Sequence, residues 1–286
     1  MEITTPGEEN WDMVIEARSN LFQLRLRDVW HYRDLLVLLV RRDFVSFYKQ
    51  TVLGPIWFFV QPLITTLTYT LVFGRLAGIK TDNLPAPLFY MAGIMAWNYF
   101  SECLVKTSTV FRDNAHIFGK VYFPRLIMPL SIVISNLVRF AVQALLFFGM
   151  MAFFAIKGDH FHVTAYALLF PVLVFQMALL GLGTGMIVSA MTNRYRDLAL
   201  LIAFATQLLM YSTTVVYPLS KVPSSIRWLI EANPLTSSIE ALRLGFLGAG
   251  TFSWGSFGIG LVVTFVLALF GIVIFNKVER NFIDTV

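Results

Sequence analysis

Residues 127–155 read IMPLSIVISNLVRFAVQALLFFGMMAFFA, and Arg139 is the one formal charge in the stretch. Crossing about 30 Å of hydrocarbon takes roughly 20 mostly apolar residues in a helix. A core helix of a soluble protein keeps a polar face toward water, and no continuous polar face exists here, so the bilayer is the solvent this stretch requires. Five further segments of the same kind lie near 53–76, 88–107, 164–191, 198–217 and 254–276. Every backbone N–H and C=O in lipid must be satisfied within the segment, which leaves helices as the spanning form. The expected fold is an all-α membrane protein with six transmembrane helices.

Composition points the same way. The chain of 286 residues is 57% hydrophobic and 14% charged, with a mean hydropathy of +0.70. Soluble domains average about 45–50% apolar and about 25% charged residues. The net charge of +5 reads as the cytoplasmic excess of Lys and Arg found in membrane proteins. Nucleic acid as a partner is excluded, because no basic patch is interleaved with exposed aromatics.

The loops set the orientation. With both termini in the cytoplasm, 15 of the 22 Lys and Arg residues fall on the cytoplasmic side, six on the opposite face, and Arg139 within a span. The chain then divides into a polar cytoplasmic segment 1–28, an amphipathic interface helix 29–52, a transmembrane domain 53–276 and a cytoplasmic tail 277–286. Residues 1–28 lack the apolar core of a signal peptide. The interface helix carries Arg41, Arg42, Tyr48 and Lys49 among leucines, too charged to span and suited to lying in the headgroup plane. On the outer side, Tyr217-Pro218 ends span five, Pro223 starts one short helix that carries Trp228, and Asn233-Pro234 breaks it. A second short helix is expected from Thr236 to Leu247, ending at Gly248. Two short half-apolar helices there suggest a re-entrant hairpin or lid.

Several chemistries are missing. No G-x-x-x-x-G-K-[ST] loop occurs. Gly181-Leu182-Gly183-Thr184-Gly185 lies inside a span and reads as helix packing through small residues. Cys103 is the sole cysteine, so no intrachain disulfide forms. His160 and His162 lack further ligands and read as solvated loop residues. Glu102 and Arg139 are the ionisable groups well inside the spans, and they are expected to snorkel or to pair between neighbouring helices. No proton relay and no nucleophile with a matching base are visible. The chain is therefore not an enzyme, it binds no cofactor or metal of its own, and energy for transport must come from elsewhere.

Aromatic residues remain. Trp57, Phe58, Phe59, Tyr69 and Phe73 lie on span one, and Phe204, Tyr211 and Tyr217 on span five. Sugar rings stack their C–H faces on aromatic faces, so these residues suit a path for a glycan. They equally suit lipid-facing and interfacial positions.

Four motifs carry a resemblance to a known family. They are Tyr48-Lys49-Gln50-Thr51-Val52-Leu53-Gly54-Pro55-Ile56-Trp57; Asn114 through Lys120-Val121-Tyr122-Phe123-Pro124-Arg125; Arg194-Tyr195-Arg196-Asp197-Leu198; and Asn233-Pro234-Leu235 with Glu240-Ala241-Leu242-Arg243. Together they resemble the membrane subunits of ABC-2 type exporters, in the branch that exports O-antigen, capsule and teichoic acid. The resemblance covers roughly residues 30–280. It implies a homodimer with two copies of a separate ABC ATPase, which would hold ATP and Mg. It further implies a coupling helix at Asn114, Ala115, His116, Ile117 and Phe118, with Arg196 and Asp197 beside it, docking on that ATPase. Spans one and five would line a conduit for a lipid-linked glycan, and an outer gate would include Pro218, Pro223, Trp228, Asn233 and Pro234. The implied location is the inner membrane. Arg139 has no counterpart in the family pattern. An ABC-2 exporter of drugs or other small molecules shares the same fold, an ion-coupled carrier needs membrane carboxylates, and a membrane enzyme needs clustered catalytic groups at one interface.

Overall fold

The structure, a computed structural model, describes residues 26–49, 52, 54–118, 123–195 and 197–283. All regular structure among the described residues is helical. Residues 1–25 of the amino-terminal segment, the Gly119–Tyr122 part of the second motif, Arg196 and the last three residues lie outside them, as do the side chains of Tyr48 and Phe118.

The interface segment is one helical element in two pieces, α1 (Leu26–His31) and α2 (Arg33–Lys49), joined at Tyr32. Helix α3 (Trp57–Tyr69) is preceded by a 3₁₀ turn at Gly54–Ile56, where Gly54 takes φ +53, and is prolonged by a π-helical stretch Thr70–Leu76. Then follow α4 (Ala86–Ser108), the short α5 (Val110–Asp113) and α6 (Ala115–Phe118), and α7 (Ile127–Ile156). A 3₁₀ turn at Ala165–Leu169 leads into α8 (Phe170–Arg194). Beyond them lie α9 (Leu198–Tyr211), α10 (Ser224–Glu231), α11 (Pro234–Leu247) and α12 (Trp254–Ile283).

Among the described residues, four helical stretches are long and apolar enough to cross a membrane: Gly54–Leu76, Ile127–Ile156, Ala165–Thr192 and Trp254–Val278. They coincide with four of the six expected spans to within two residues at each end. Helix α4 has 23 residues, about 35 Å at 1.5 Å per residue, but it is central rather than lipid-facing. Leu88 to Trp97 along it are all buried, packed by α3, α7, α8, α9 and α11. The expected fifth span, 198–217, is corrected. Helix α9 stops at Tyr211 after 14 residues, about 21 Å, and Thr213 to Val216 form a buried turn. The interface helix, expected over 29–52, is helical to Lys49; residues 50, 51 and 53 lie outside the described residues, and Val52 sits in a bend.

The main core runs along α4, α8 and α11, and a second cluster closes the other end. In that second cluster Leu39 of α2 is buried, and Phe111 stacks on Phe275 of α12 at 4.6 Å. Helices α8 and α12 approach backbone to backbone. A Cβ on Gly183 would lie 2.6 Å from Ala268 Cα, and one on Gly271 would run into Gly183. Gly183→Leu or Gly271→Leu is therefore expected to cost about 2–3 kcal/mol by forcing the pair apart. Thermal unfolding in detergent checks this, with Gly149→Leu as the control, since a Cβ there meets nothing within 4 Å.

Candidate functional site

Three places hold the residues singled out from sequence. The first is the joint where α2, the α4–α7 connection and the start of α9 meet the bundle. Arg41 and Arg42 are exposed on α2, while Leu35, Leu36 and Leu39 face the second core cluster, so the helix is amphipathic as expected. Arg42 Nη2 pairs with Asp43 at 2.8 Å, and Lys49 is exposed. Asn114 forms the corner between α5 and α6 and donates from Nδ2 to the Val110 carbonyl at 3.0 Å. Ala115 and His116 are exposed on the following turn, whereas Ile117 packs back on the core. Asp197 is exposed at the start of α9, where its carbonyl accepts from the Leu200 N–H at 3.0 Å.

Glu102 and Arg139 do pair across helices. Arg139 Nη1 lies 3.4 Å from Glu102 Oε2, and Lys106 Nζ reaches the same oxygen at 2.6 Å. The guanidinium also sits over the Phe58 ring at 5.7 Å.

The second place is the aromatic face. Trp57 and Phe59 are exposed on α3, and Phe204 and Tyr211 on α9. Phe58 is buried and stacks on Phe44 of α2 at 5.7 Å, which turns it toward the interface helix. Tyr69 is half-buried: its ring meets Phe73 at 5.2 Å and Tyr90 at 6.2 Å, and its hydroxyl lies 3.5 Å from Met210 Sδ on α9. It thus joins α3, α4 and α9. Tyr217 donates to the Tyr211 carbonyl at 3.0 Å and closes the turn after α9.

The third place is the helix pair α10 and α11, and here the two halves prove unlike. Helix α10 starts after Pro223 and leaves Ile226, Trp228 and Leu229 exposed. Pro218 is buried in extended backbone before it. Asn233 caps α11, its side chain accepting from the Leu235 N–H at 3.0 Å, and Pro234 takes the first helical position, which suits its missing N–H. The helix therefore begins two residues before Thr236 and ends, as expected, at Gly248 with φ +71. Yet α11 is buried from Leu235 to Arg243, so the expectation of two half-apolar helices holds for α10 alone.

Sequence reasoning missed the residue that does this. Arg243 and Glu240 are each only 1% exposed. Arg243 Nη1 donates to the Thr214 carbonyl at 2.6 Å and to Glu240 Oε1 at 3.2 Å. Nη2 donates to the carbonyls of Val215 at 3.1 Å and Phe89 at 3.3 Å. The guanidinium carbon lies 3.5 Å from the centroid of the Phe89 ring, and Glu240 Oε2 accepts from the Thr251 N–H at 2.8 Å. One side chain thus ties α11 to α4 and to the turn that follows α9. Burial lowers the Arg243 pKa to about 10 against the opposing pull of Glu240, so it stays a cation at neutral pH. The signal available was an i, i+3 Glu–Arg pair in an otherwise apolar helix.

An all-helical bundle, with several helices fit to span a bilayer and an amphipathic helix at one end, defines a multi-pass membrane protein. The ABC-2 type transporter family matches residues 34–247, and the chain belongs to that family. Among its relatives, the O-antigen export system permease protein RfbA of Klebsiella pneumoniae is 26% identical over 251 residues, 88% of this chain and 94% of that protein. The RfbA protein of Myxococcus xanthus is 29% identical over 224 residues, 77% of this chain and 83% of that one. The capsule polysaccharide export inner-membrane protein CtrC of Neisseria meningitidis serogroup B is 20% identical over 257 residues, 87% and 92% of the two chains.

Proposed function

We propose that the chain is the membrane subunit of an inner-membrane exporter that moves a lipid-linked polysaccharide of the O-antigen type. The observation that carries this reading is similarity to O-antigen export permeases across nearly nine-tenths of the chain. Two copies of this chain would form the conduit, and two copies of a separate ABC ATPase would drive it with ATP and Mg. Both termini lie in the cytoplasm in this reading, and α4 and the short α9 complete six crossings. Helix α6 and the start of α9 receive the ATPase stroke, and α10 is the movable part of an outer gate anchored on α11.

The direct test is export from inverted vesicles carrying the chain with its ATPase and a lipid-linked O-polysaccharide. Export should require hydrolysable ATP and both proteins. Movement driven by an ion gradient without the ATPase overturns the reading, and movement of small drugs in place of the glycan redirects it to the sister branch.

The exposed rings of α3 and α9 support the conduit. Tyr211→Ala is expected to slow glycan export by about threefold to tenfold, the worth of one ring contact of about 0.5–1.5 kcal/mol. Tyr69→Ala should slow it as much and also loosen the α3–α9 contact, visible as earlier thermal unfolding. Unchanged export in a folded Tyr211→Ala protein removes the aromatic path.

A further inference from the structure

We propose that two cavities between α2, α3, α4 and α7 form one water-filled pocket, which reaches from the α2 joint into the membrane-spanning part of the bundle. The larger, about 470 Å³, lies between α2, α4 and α7, and its wall includes Lys106, Asp113 and Ser135. The smaller, about 90 Å³, lies between α3, α4 and α7, and its wall includes Gln61, Asn98, Tyr99, Phe140 and Gln143. Glu102, Asn136 and Arg139 line both, so the two cavities meet there.

Depth decides what the pocket must solve. Helix α7 has 30 residues, about 45 Å in length. Arg139 and Gln143 stand about 18 and 24 Å from its first residue. Wherever a layer of about 30 Å of hydrocarbon falls along a helix of about 45 Å, both positions are inside it. Polar groups there need partners from the protein or from water.

Charge calls for solvent rather than for an ion. Arg42, Lys106 and Arg139 face Asp43, Glu102 and Asp113 across the larger cavity, three charges of each sign. Arg42 pairs with Asp43 at 2.8 Å, and Lys106 and Arg139 pair with Glu102 at 2.6 and 3.4 Å. Arg112 pairs with Asp113 at 2.9 Å, and Asp43 bears on Arg139 as well. The cluster is balanced, yet the side chains of Glu102 and Lys106 are 47% and 39% exposed. Ionised groups at membrane depth face water-filled cavities rather than lipid.

Two polar atoms point to the same occupant without reference to charge. The Ser135 hydroxyl at the larger cavity and Gln143 Oε1 at the smaller are buried, and neither finds a hydrogen-bond partner among the described residues. Buried polar atoms are rarely left so. A carboxamide oxygen only accepts, whereas a hydroxyl both donates and accepts, and water serves both. The smaller cavity is well above the roughly 10–15 Å³ that one water requires. Gln61, Asn98, Asn136 and Gln143 around it can supply the two to four partners of each ordered water. An acyl chain would leave those amides unpaired. Water in this pocket joins α2 and α3 to α4 and α7 through a seam that can shift without stranding a charge.

The test reads water rather than export, so it stands whatever the exported substrate proves to be. The full chain in lipid nanodiscs is given a brief X-ray pulse, and hydroxyl-radical labelling is read residue by residue by mass spectrometry. Radicals form from water where it sits, so a buried ring is labelled only if water lies beside it. Tyr99 and Phe140 are 3% and 4% exposed, and Tyr90 and Phe147, both 0% exposed, are the controls in the core. Tyr99 and Phe140 should be labelled severalfold above the controls, and labelling no higher than the controls overturns the pocket. Both rings also border an apolar groove between α7 and α8, and Gln143→Leu separates the two routes. It fills the pocket with hydrocarbon and should return both rings to the control level. Labelling that survives in a folded Gln143→Leu protein overturns the assignment to this pocket. The variant should also melt earlier, because it removes groups that water satisfies; later melting means that Oε1 was buried dry and overturns the proposal too. Where the variant fails to fold, the comparison of rings in the unaltered chain still decides.

Discussion

Arg243→Met is expected to destabilise the protein by about 3–5 kcal/mol, because it strands a buried carboxylate. With the guanidinium gone, Glu240 keeps only the Thr251 N–H. The carbonyls of Phe89, Thr214 and Val215 lose the donors that now reach them at 2.6–3.3 Å. An unmade hydrogen bond in a buried setting costs more than a made one contributes. Glu240→Gln alone should cost less, since an amide still accepts from Thr251. The double variant, Arg243→Met with Glu240→Gln, should recover part of the loss, because two neutral groups replace a broken ion pair. Unfolding curves of the four proteins in one detergent form a double-mutant cycle, and a coupling of about 0.5–3 kcal/mol is the expected range for a contacting pair. A single-variant loss below about 1 kcal/mol would mean that packing, not the ion pair, holds α11 in place. Gly93→Ala approaches the same contact from the other side, since its Cβ would lie 2.9 Å from Arg243 Nη2.

This one network also explains where the sequence was a good guide and where it was not. Hydropathy located the spans along α3, α7, α8 and α12 well, because lipid acts on every residue of a long apolar run alike. It failed at the end of α9. Val215, Val216 and Tyr217 continue the apolar pattern, so window reasoning carries the span on to 217. The chain instead turns at Ser212, and the carbonyls of Thr214 and Val215 find their donors on Arg243. A partner 28 or 29 residues away leaves no trace in a local window. Helix ends set by local chemistry were more legible, as Gly248 shows, although Pro234 began α11 two residues before the expected Thr236. The Glu102–Arg139 pair was legible too, since two opposite charges inside neighbouring spans have few alternatives to each other. Its third member, Lys106, read as a cytoplasmic loop cation; helical spacing of four residues brings it to Glu102. Burial of Arg243 was not legible, because an arginine in a loop between spans carries the same letter whether it faces water or a carbonyl cage.

A second substitution should do the reverse, sparing the fold while removing transport. Ala115 and His116 lie exposed on α6, and Ile117 beside them anchors the turn to the core cluster. Ala115→Glu with His116→Glu changes only the exposed side, so stability should stay within about 0.5 kcal/mol, as for other surface changes. If α6 docks on the partner ATPase, the same change carries two carboxylates into a contact that must exclude water. Burying uncompensated charge at an interface costs several kcal/mol, which is more than a hundredfold in affinity. Co-purification of the ATPase should therefore fall to background and ATP-dependent export with it. The unfolding midpoint serves as the control that the fold is intact. A variant that keeps both its ATPase and its export assigns the coupling contact elsewhere, and the exposed Asp197 at the start of α9 becomes the next surface to alter. The Arg243 variant and this one thus divide the molecule's work between its two ends. At one end a buried cation, Arg243, holds α11 against the bundle, and a change there is read in stability first. At the other end the exposed turn of α6 has little to do for the fold, and if it docks on the ATPase a change there is read in transport alone.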